Sequence, residues 1–247
     1  MPMALKIIVV VLLSLSCSWA AITRTAKGTA TDKVGTNNTL TVASVALNNG
    51  DSVIVGVNYR TGSVTSVVWG AQSLANDSQT VIYSLHNVAA GTNDVVVTFS
   101  VDQSAMAMFV TAVSFGAGNI GAKDVGSTDN ATGTSTTPAD AGIATNVASE
   151  IFIGALDTTG PRGDAAGTWS NSWSSGQRAG TTGGSATSNS TVQEGYKIVT
   201  ATETSQAALT DITSRQWFIQ HVTYKAVATG GAVVKDPIMR GVIARPR

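Results

Sequence analysis

The stretch from Val64 to Phe115 places the strongest constraint on how this chain can fold. It consists of short apolar runs separated by turns that contain glycine. In Val95–Val101, every second residue is valine or phenylalanine, and the residues between them are Val96, Thr98 and Ser100. A period of two is typical of a β-strand with one buried face. The run from Met106 to Phe115 is apolar on both faces, which is typical of a strand buried on both sides. We therefore expect a β-sheet protein with Met106–Phe115 in the middle of the core.

The composition favours the same class. Hydrophobic residues make up 43% of the 247 residues and charged residues only 12%, while β-branched residues and glycine are abundant. Turn signals recur at spacings typical of sandwiches and barrels, and no fixed-period repeat is found. These features predict an all-β fold, a single antiparallel β-sandwich of about ten strands with jelly-roll-like order. Residues 116–141 and 158–190 are expected to be long open loops.

The two ends of the chain differ from the body, which we expect to span residues 21–229. Residues 1–20 resemble a secretory signal, with Lys6 before an apolar run and small residues at Ser18 and Ala20. Alternatively, this segment is a hydrophobic arm that docks on a neighbouring molecule. Cys17 is the only cysteine, so the core must hold the fold without an internal disulfide.

Residues 230–247 form a basic tail that begins with Gly230 and Gly231. It contains four basic residues and one acidic residue, Asp236. The tail is either a frayed end or an arm that joins subunits, as exchanged strands do in shells and fibres. The candidate contact residues of such an arm are Ile238, Met239, Arg240, Val242, Ile243 and Arg245.

The titratable residues do not predict an enzyme. The two histidines, His86 and His221, lie far apart in the sequence without a second ligand at metal spacing. Glycosidases need two carboxylates across a cleft; the available members are Glu150, Asp157, Glu194 and Asp164, and they form no cluster on one strand face. We expect Glu150 to begin a strand in solvent. The formal net charge is zero, so no field favours nucleic acid as a partner.

No cofactor is expected. Calcium in loops is the one alternative, because loop aspartates with nearby carbonyl groups are its usual ligands in β-proteins. The candidate ligands are Asp124, Asp129, Asp140 and Asp164. Solvated loop aspartates are the competing interpretation.

Two tryptophans, Trp169 and Trp173, lie in a stretch rich in serine and asparagine. They are candidates for contact with a glycan or a protein partner, since indole rings stack on sugar rings. The competing interpretation is that they close one end of a sandwich.

Part of the central stretch resembles a known domain. Val67–Leu74 contains Trp-Gly-Ala-Gln-Ser-Leu, Ala89–Thr92 reads Ala-Ala-Gly-Thr, and Val95–Phe99 is a strand. These residues resemble a sandwich domain found in phage structural proteins and bacterial surface proteins, in which a strand ends in Trp-Gly-Gly; here Ala71 replaces the second glycine. The resemblance covers about residues 51–115 and implies no catalytic residues.

Two functions follow as expectations. The first is a non-enzymatic structural protein, a subunit of a particle or fibre such as a phage virion decoration protein, with protein neighbours and a homo-oligomeric state. The second is a secreted bacterial surface domain or glycan-binding domain. Both place the protein outside the cell, on a virion or on a bacterial surface.

Overall fold

The computed structural model describes residues 21–33, 35–78, 81–126 and 131–229, and these residues are almost entirely β-structure. They form 19 strands, eight of which have four residues or fewer, and one 3₁₀ turn at Ala186–Ser188. All strand pairs are antiparallel. The predicted all-β antiparallel class is confirmed. The signal-like segment and the basic tail lie outside the described residues.

The N-terminal half of the described chain contains nine strands. They are β1 (Thr23–Asp32), β2 (Asn37–Leu47), β3 (Ser52–Tyr59), β4 (Val64–Trp69), β5 (Gln72–Ser73), β6 (Ala75–Ser78), β7 (Ile82–Leu85), β8 (Gly91–Gln103) and β9 (Met106–Ser114).

The C-terminal half contains the other ten strands. They are β10 (Asn119–Gly126), β11 (Ala131–Gly133), β12 (Ile143–Ala144), β13 (Glu150–Thr158), β14 (Ala166–Trp169), β15 (Ser174–Gly180), β16 (Thr191–Val199), β17 (Thr204–Ser205), β18 (Leu209–Ile212) and β19 (Trp217–Ala228).

The two halves use the same strand order. Sheet II, from the N-terminal half, has the order β1-β9-β3-β7-β6, and sheet III, from the C-terminal half, has the order β10-β19-β13-β16-β15, with β11 also paired to β19. Sheet I, with the order β2-β8-β4-β5, covers sheet II, whereas two short pairs, β12-β17 and β14-β18, cover sheet III. Each half is thus a sandwich of its own, and the common order indicates a repeated architecture without a repeated sequence period.

The sheets are stacked, because three apolar clusters lie between successive layers. The first cluster joins sheets I and II and includes Val55, Trp69 and Val97. The second joins sheets II and III and includes Phe109 and Ile153. The third lies between sheet III and the short pairs and includes Phe152, Trp173 and Leu209. We call the contact between sheets II and III the seam.

Strand β9 lies at the centre of this stack, as the sequence predicted. Met106, Met108 and Val110 contribute to the first cluster, and Phe109 and Val113 to the second. Every residue of β9 except Ser114 is buried. Strand β9 therefore supplies side chains to two cores at once, which explains its continuous apolar sequence.

Gly56 on β3 makes room for one of these side chains. It is the register partner of Phe109, and a Cβ at this position would lie 2.1 Å from the Phe109 ring. The ring can cross the neighbouring strand only because glycine has no side chain there.

Two expectations about the architecture need correction. The regions predicted as open loops contain strands, namely β10 and β11 in residues 116–141 and β14 and β15 in residues 158–190. These strands consist mostly of glycine, alanine and polar residues, so they lack the apolar alternation that marks a strand. Because the C-terminal half forms a main sheet of its own, the structure has a stack of three main sheets where one sandwich was predicted. The jelly-roll-like connectivity stays a prediction.

Candidate functional site

A buried ion pair joins the two halves across the seam. Arg24 on β1 donates from Nε to Oε1 of Glu194 on β16 at 3.0 Å, and its Nη2 pairs with Oε2. The exposed fractions of the two side chains are 12% and 0%. The guanidinium also lies 5.0 Å from the centre of the Tyr196 ring. The sequence analysis weighed Glu194 as one carboxylate of a catalytic pair, but here it binds the two sheets together.

The side chain of Gln177 makes a second connection. Strand β1 has a bulge between Ala26 and Gly28, which interrupts its ladder with β9. Gln177 on β15 accepts a hydrogen bond from Gly28 N–H at 3.1 Å and donates one to the Val110 carbonyl at 2.6 Å. The amide therefore replaces the ladder bonds that the bulge removes, and it does so from the opposite sheet.

Two more connections lie elsewhere along the seam. Asn58 on β3 donates to the carbonyls of Thr158 and Thr191 at 3.1 and 2.8 Å. The Tyr224 hydroxyl on β19 donates to Asp77 on β6 at 2.8 Å. Each contact satisfies polar groups that burial would otherwise leave unpaired, so the two halves are fixed in one relative position.

A cleft of about 440 Å³ opens at one end of the seam, and we call it the seam cleft. The ends of β3 and β13, strands with the same place in sheets II and III, meet there. Three of its side chains are aromatic. The residues that line it are Asn58, Tyr59, Arg60, Val81, Thr132, Asp157, Thr158, Thr159, Gln216, Trp217 and Phe218.

Asp157 is the unusual group of the seam cleft. It is 7% exposed, and its Oδ1 has no hydrogen-bond partner among the described residues. Burial raises the pKa of Asp157 well above its usual value, because the charged form loses its hydration. The pKa of Tyr59 is also raised, first by burial and then by the nearby Asp157. Asn58, at the corresponding place on β3, has carbonyl partners instead.

The structure places Trp169 and Trp173 inside the third cluster. Each is 5% exposed, and their rings stack at 5.5 Å with an angle of 18°. Phe152 packs on Trp173 at 5.7 Å, and Gly195 lies against the Trp169 ring. Protein therefore covers the ring faces, and a sugar has no access to stack on them. The competing interpretation, in which they close the end of a sandwich, fits these positions. We therefore do not propose Trp169 and Trp173 as glycan contacts.

We expect Gly195→Ala to destabilise the protein by about 1–3 kcal/mol, a typical cost of overpacking a core. A Cβ at this position would lie 2.5 Å from the Trp169 ring. The matched control is Gly163→Ala, where a Cβ would meet nothing within 4 Å. Urea unfolding of both variants measures the difference. Equal stability of the two variants would contradict the close packing of Trp169 on β16.

The candidate calcium ligands that the structure describes do not come together. Asp124 lies on β10 rather than in a loop and pairs with Lys225 at 2.7 Å, while Asp164 pairs with Arg215 at 2.7 Å. Asp140 is buried beside His221, and Asp129 lies outside the described residues. Within residues 21–33, 35–78, 81–126 and 131–229, no group of three or more His, Cys, Asp or Glu residues could hold a metal ion.

The two histidines are held by their neighbours. His86 contacts the hydroxyls of Ser52 and Ser84 at 2.8 and 2.9 Å, and burial lowers its pKa. His221 is fully buried and its Nδ1 pairs with Asp140. Burial raises the pKa of Asp140, and the hydrogen bond with His221 opposes that rise. These contacts fit structural histidines.

Glu150 was expected in solvent, and this expectation is wrong. Its exposed fraction is 0%, its Oε1 accepts a hydrogen bond from Val147 N–H at 3.0 Å, and burial raises its pKa. The carboxylate folds back on its own chain because β13 is central in sheet III from its first residue. The candidate arm residues of the tail lie outside the described residues.

Sequence reasoning missed the seam cleft as a site. It weighed Asp157 only as one of several carboxylates and did not single out Tyr59, Arg60 or Trp217. One signal was present: Asp157 is a carboxylate at the end of the apolar run from Ile151 to Leu156.

Comparison with known proteins gives no relative: no family model matches the sequence, and no curated protein matches it at a significant level. In the part of the chain that the structure describes, no helix has the length and apolar character needed to cross a membrane.

Proposed function

We propose that this chain is a non-enzymatic structural protein of an outer surface, a homo-oligomeric subunit of a particle or fibre such as a phage virion decoration protein. The observation that supports the proposal is the seam. Arg24, Asn58 and Gln177 all use their polar groups to tie sheet II to sheet III. A stack held in this way resists sliding and opening, which suits a protein with a mechanical or covering role.

The outer face of sheet I offers a surface for neighbours in such an assembly. Thr98 on β8 lies between Thr39 on β2 and Ser66 on β4. In the next row, Val96 lies between Thr41 and Val68. A surface of hydroxyl and methyl groups can be covered by a neighbour without desolvating a charge.

The test is fractionation of the native source. We expect the chain to co-purify with particles or fibres through density-gradient centrifugation and to be identified there by mass spectrometry. Recovery only as a free monomer that stays monomeric at high concentration, with both ends open to protease, would overturn the proposal.

The basic tail is the proposed arm between subunits. We expect a chain ending at Thr229 to keep the melting temperature of the full chain, because the three clusters lie within the described residues, but to lose self-association in light scattering. Ile238→Asp combined with Ile243→Asp should have the same effect if the apolar residues bind a neighbour. Oligomers that form equally well without the tail would exclude the arm.

A second candidate function, a secreted bacterial surface domain or glycan-binding domain, is favoured by one observation. This is the seam cleft, with Phe218 in its wall and the buried Oδ1 of Asp157, which has no hydrogen-bond partner among the described residues. A glycan array separates the two candidates. Saturable binding would support the second one, and the absence of binding on the array would exclude a glycan-binding domain.

A further inference from the structure

The seam cleft has the size of a small-molecule site. Its volume of about 440 Å³ falls within the range of about 300–1,000 Å³ that is typical of ligand pockets. It also lies between two sandwiches, and contacts between such units are a common place for pockets. Each half contributes to the lining, so the site exists only when the two halves are packed together.

The walls combine an apolar ring with groups that form hydrogen bonds. Phe218, the register partner of Asp157 on β19, supplies the ring on the seam face, while Asp157 and Gln216 supply oxygen and nitrogen atoms. The Tyr59 ring packs on Phe99 in the first cluster, and Trp217 belongs to the third cluster. A ligand that fits both features needs an apolar face and a rim of hydroxyl groups. A pyranose ring has this distribution, with C–H groups on its faces and hydroxyl groups around its edge.

The charges in the seam cleft argue against ionic ligands. Arg60 lines the cleft and repels a cation, and its guanidinium also donates to the Thr187 carbonyl at 2.7 Å. Asp157, in the same lining, opposes an anion when it is ionised. An anion is attracted by Arg60 and repelled by ionised Asp157, and a cation experiences the reverse, so a neutral ligand is the class with no repulsion to overcome.

The missing partner of Asp157 supplies the second observation. Its Oδ1 is buried and makes no hydrogen bond to the residues that the structure describes. A buried acceptor in this state costs about 1–3 kcal/mol, and a hydroxyl group from a ligand can satisfy it.

We propose that the seam cleft binds a pyranose ring of a neutral carbohydrate, with a sugar hydroxyl donating to Asp157, a second hydroxyl bonded to Gln216, and the Phe218 ring covering one face of the sugar. This assignment rests on the second candidate function, which it makes specific, and it is independent of the structural role, which concerns a different surface. It also differs from the sequence-based expectation, which placed a glycan at Trp169 and Trp173.

The test is titration of the full chain with glucose, galactose, mannose, xylose and N-acetylglucosamine and with their disaccharides. Tryptophan fluorescence reports on Trp217 in the wall, and saturation-transfer NMR reports on the sugar. We expect at least one sugar to bind saturably, with a dissociation constant in the micromolar to millimolar range. Tetramethylammonium and inorganic phosphate serve as probes of the two ionic classes.

Variants locate the binding. We expect Gln216→Ala, at an exposed position, to weaken the affinity several-fold, and Phe218→Ala or Asp157→Leu to weaken it at least tenfold. The matched control is Gln72→Ala on β5, which is exposed on sheet I and should leave the affinity unchanged. Circular dichroism checks that each variant is folded; if Asp157→Leu does not fold, Gln216→Ala and Phe218→Ala decide the question.

Three outcomes would overturn the assignment. They are the absence of saturable binding across the panel, an affinity that the seam-cleft variants leave unchanged, and tighter binding of tetramethylammonium or phosphate than of any sugar. None of these outcomes bears on whether the chain co-purifies with particles.

Discussion

Replacing Arg24 by methionine is expected to destabilise the protein by about 3–5 kcal/mol, because it leaves the carboxylate of Glu194 buried without its partner. The Glu194 side chain is fully buried. Among the described residues, the only other hydrogen bond that its carboxylate accepts comes from the N–H of Gln177 at 3.0 Å. Denaturant unfolding at neutral pH measures the loss. Methionine keeps most of the length of arginine, so lost packing contributes little.

Two further variants test the cause. The double variant Arg24→Met with Glu194→Leu should recover most of the loss, since replacing both members of a buried pair by apolar residues is often neutral. Arg215→Met removes the partner of Asp164 in a more exposed pair, where solvent screens the charges, and should cost much less stability than Arg24→Met. Equal losses for Arg24→Met and Arg215→Met would mean that the seam does not depend on its ion pair.

Replacing Asp157 by asparagine should stabilise the protein at neutral pH and change the pH dependence of its stability. The pKa of Asp157 is raised by burial in the folded state, whereas the unfolded value is about 3.9. Between these two values the folded state binds more protons than the unfolded state. Stability is therefore highest below the unfolded pKa and falls as the pH rises towards the folded pKa, by at most about 1.4 kcal/mol for each pH unit.

Asparagine does not ionise, so the difference in free energy of unfolding between Asp157→Asn and the natural chain should grow from about pH 4 upward and become constant above the folded pKa. Burial also raises the pKa values of Asp140 and Glu150, but both residues are present in the two proteins and cancel in the difference. Asp102→Asn, at an exposed position of β8, is the control and should change stability by no more than about 0.5 kcal/mol. A difference curve that does not vary with pH would contradict the burial of an ionisable Asp157.

The sequence predicted the strands that bury large apolar side chains. Met106–Phe115 was expected to be buried on both sides in the middle of the core, and its side chains do enter two clusters. Such strands are predictable because burial on one or two faces directly determines the apolar period. The alternation of apolar and polar residues along a strand is the same whichever sheet its buried face packs against.

The strands β10 and β15 could not be predicted in this way. Both contain few large apolar residues: β10 has the sequence Asn-Ile-Gly-Ala-Lys-Asp-Val-Gly, and β15 has the sequence Ser-Ser-Gly-Gln-Arg-Ala-Gly. Their hydrogen-bonding partners β19 and β16 and the side chains of the opposite sheet hold them in place, so the information lies in distant residues. The number of sheets was missed for the same reason.

The seam cleft required the structure. Tyr59 and Asp157 are far apart in the chain, and only the packing of sheet II on sheet III brings the ends of β3 and β13 together. The sequence analysis chose Trp169 and Trp173 because tryptophan in a polar stretch indicates an exposed ring. The glycines at positions 154 and 195 of sheet III give these rings an interior place instead.

The bond between Gln177 and the bulge of β1 has a consequence for the order of folding. Strand β1 is complete only when Gln177 reaches Gly28 and Val110, yet Gln177 follows Gly28 by 149 residues and Val110 by 67 residues. During synthesis the N-terminal half leaves the ribosome first, and the seam face of sheet II, with Ile54 and Phe109, stays open until β16 and β19 have been made. Contacts at such long separation form slowly, and an apolar sheet face that waits uncovered can pair with another chain. The nascent N-terminal half therefore depends on rapid completion of the chain, or on a chaperone, to avoid association with its own copies.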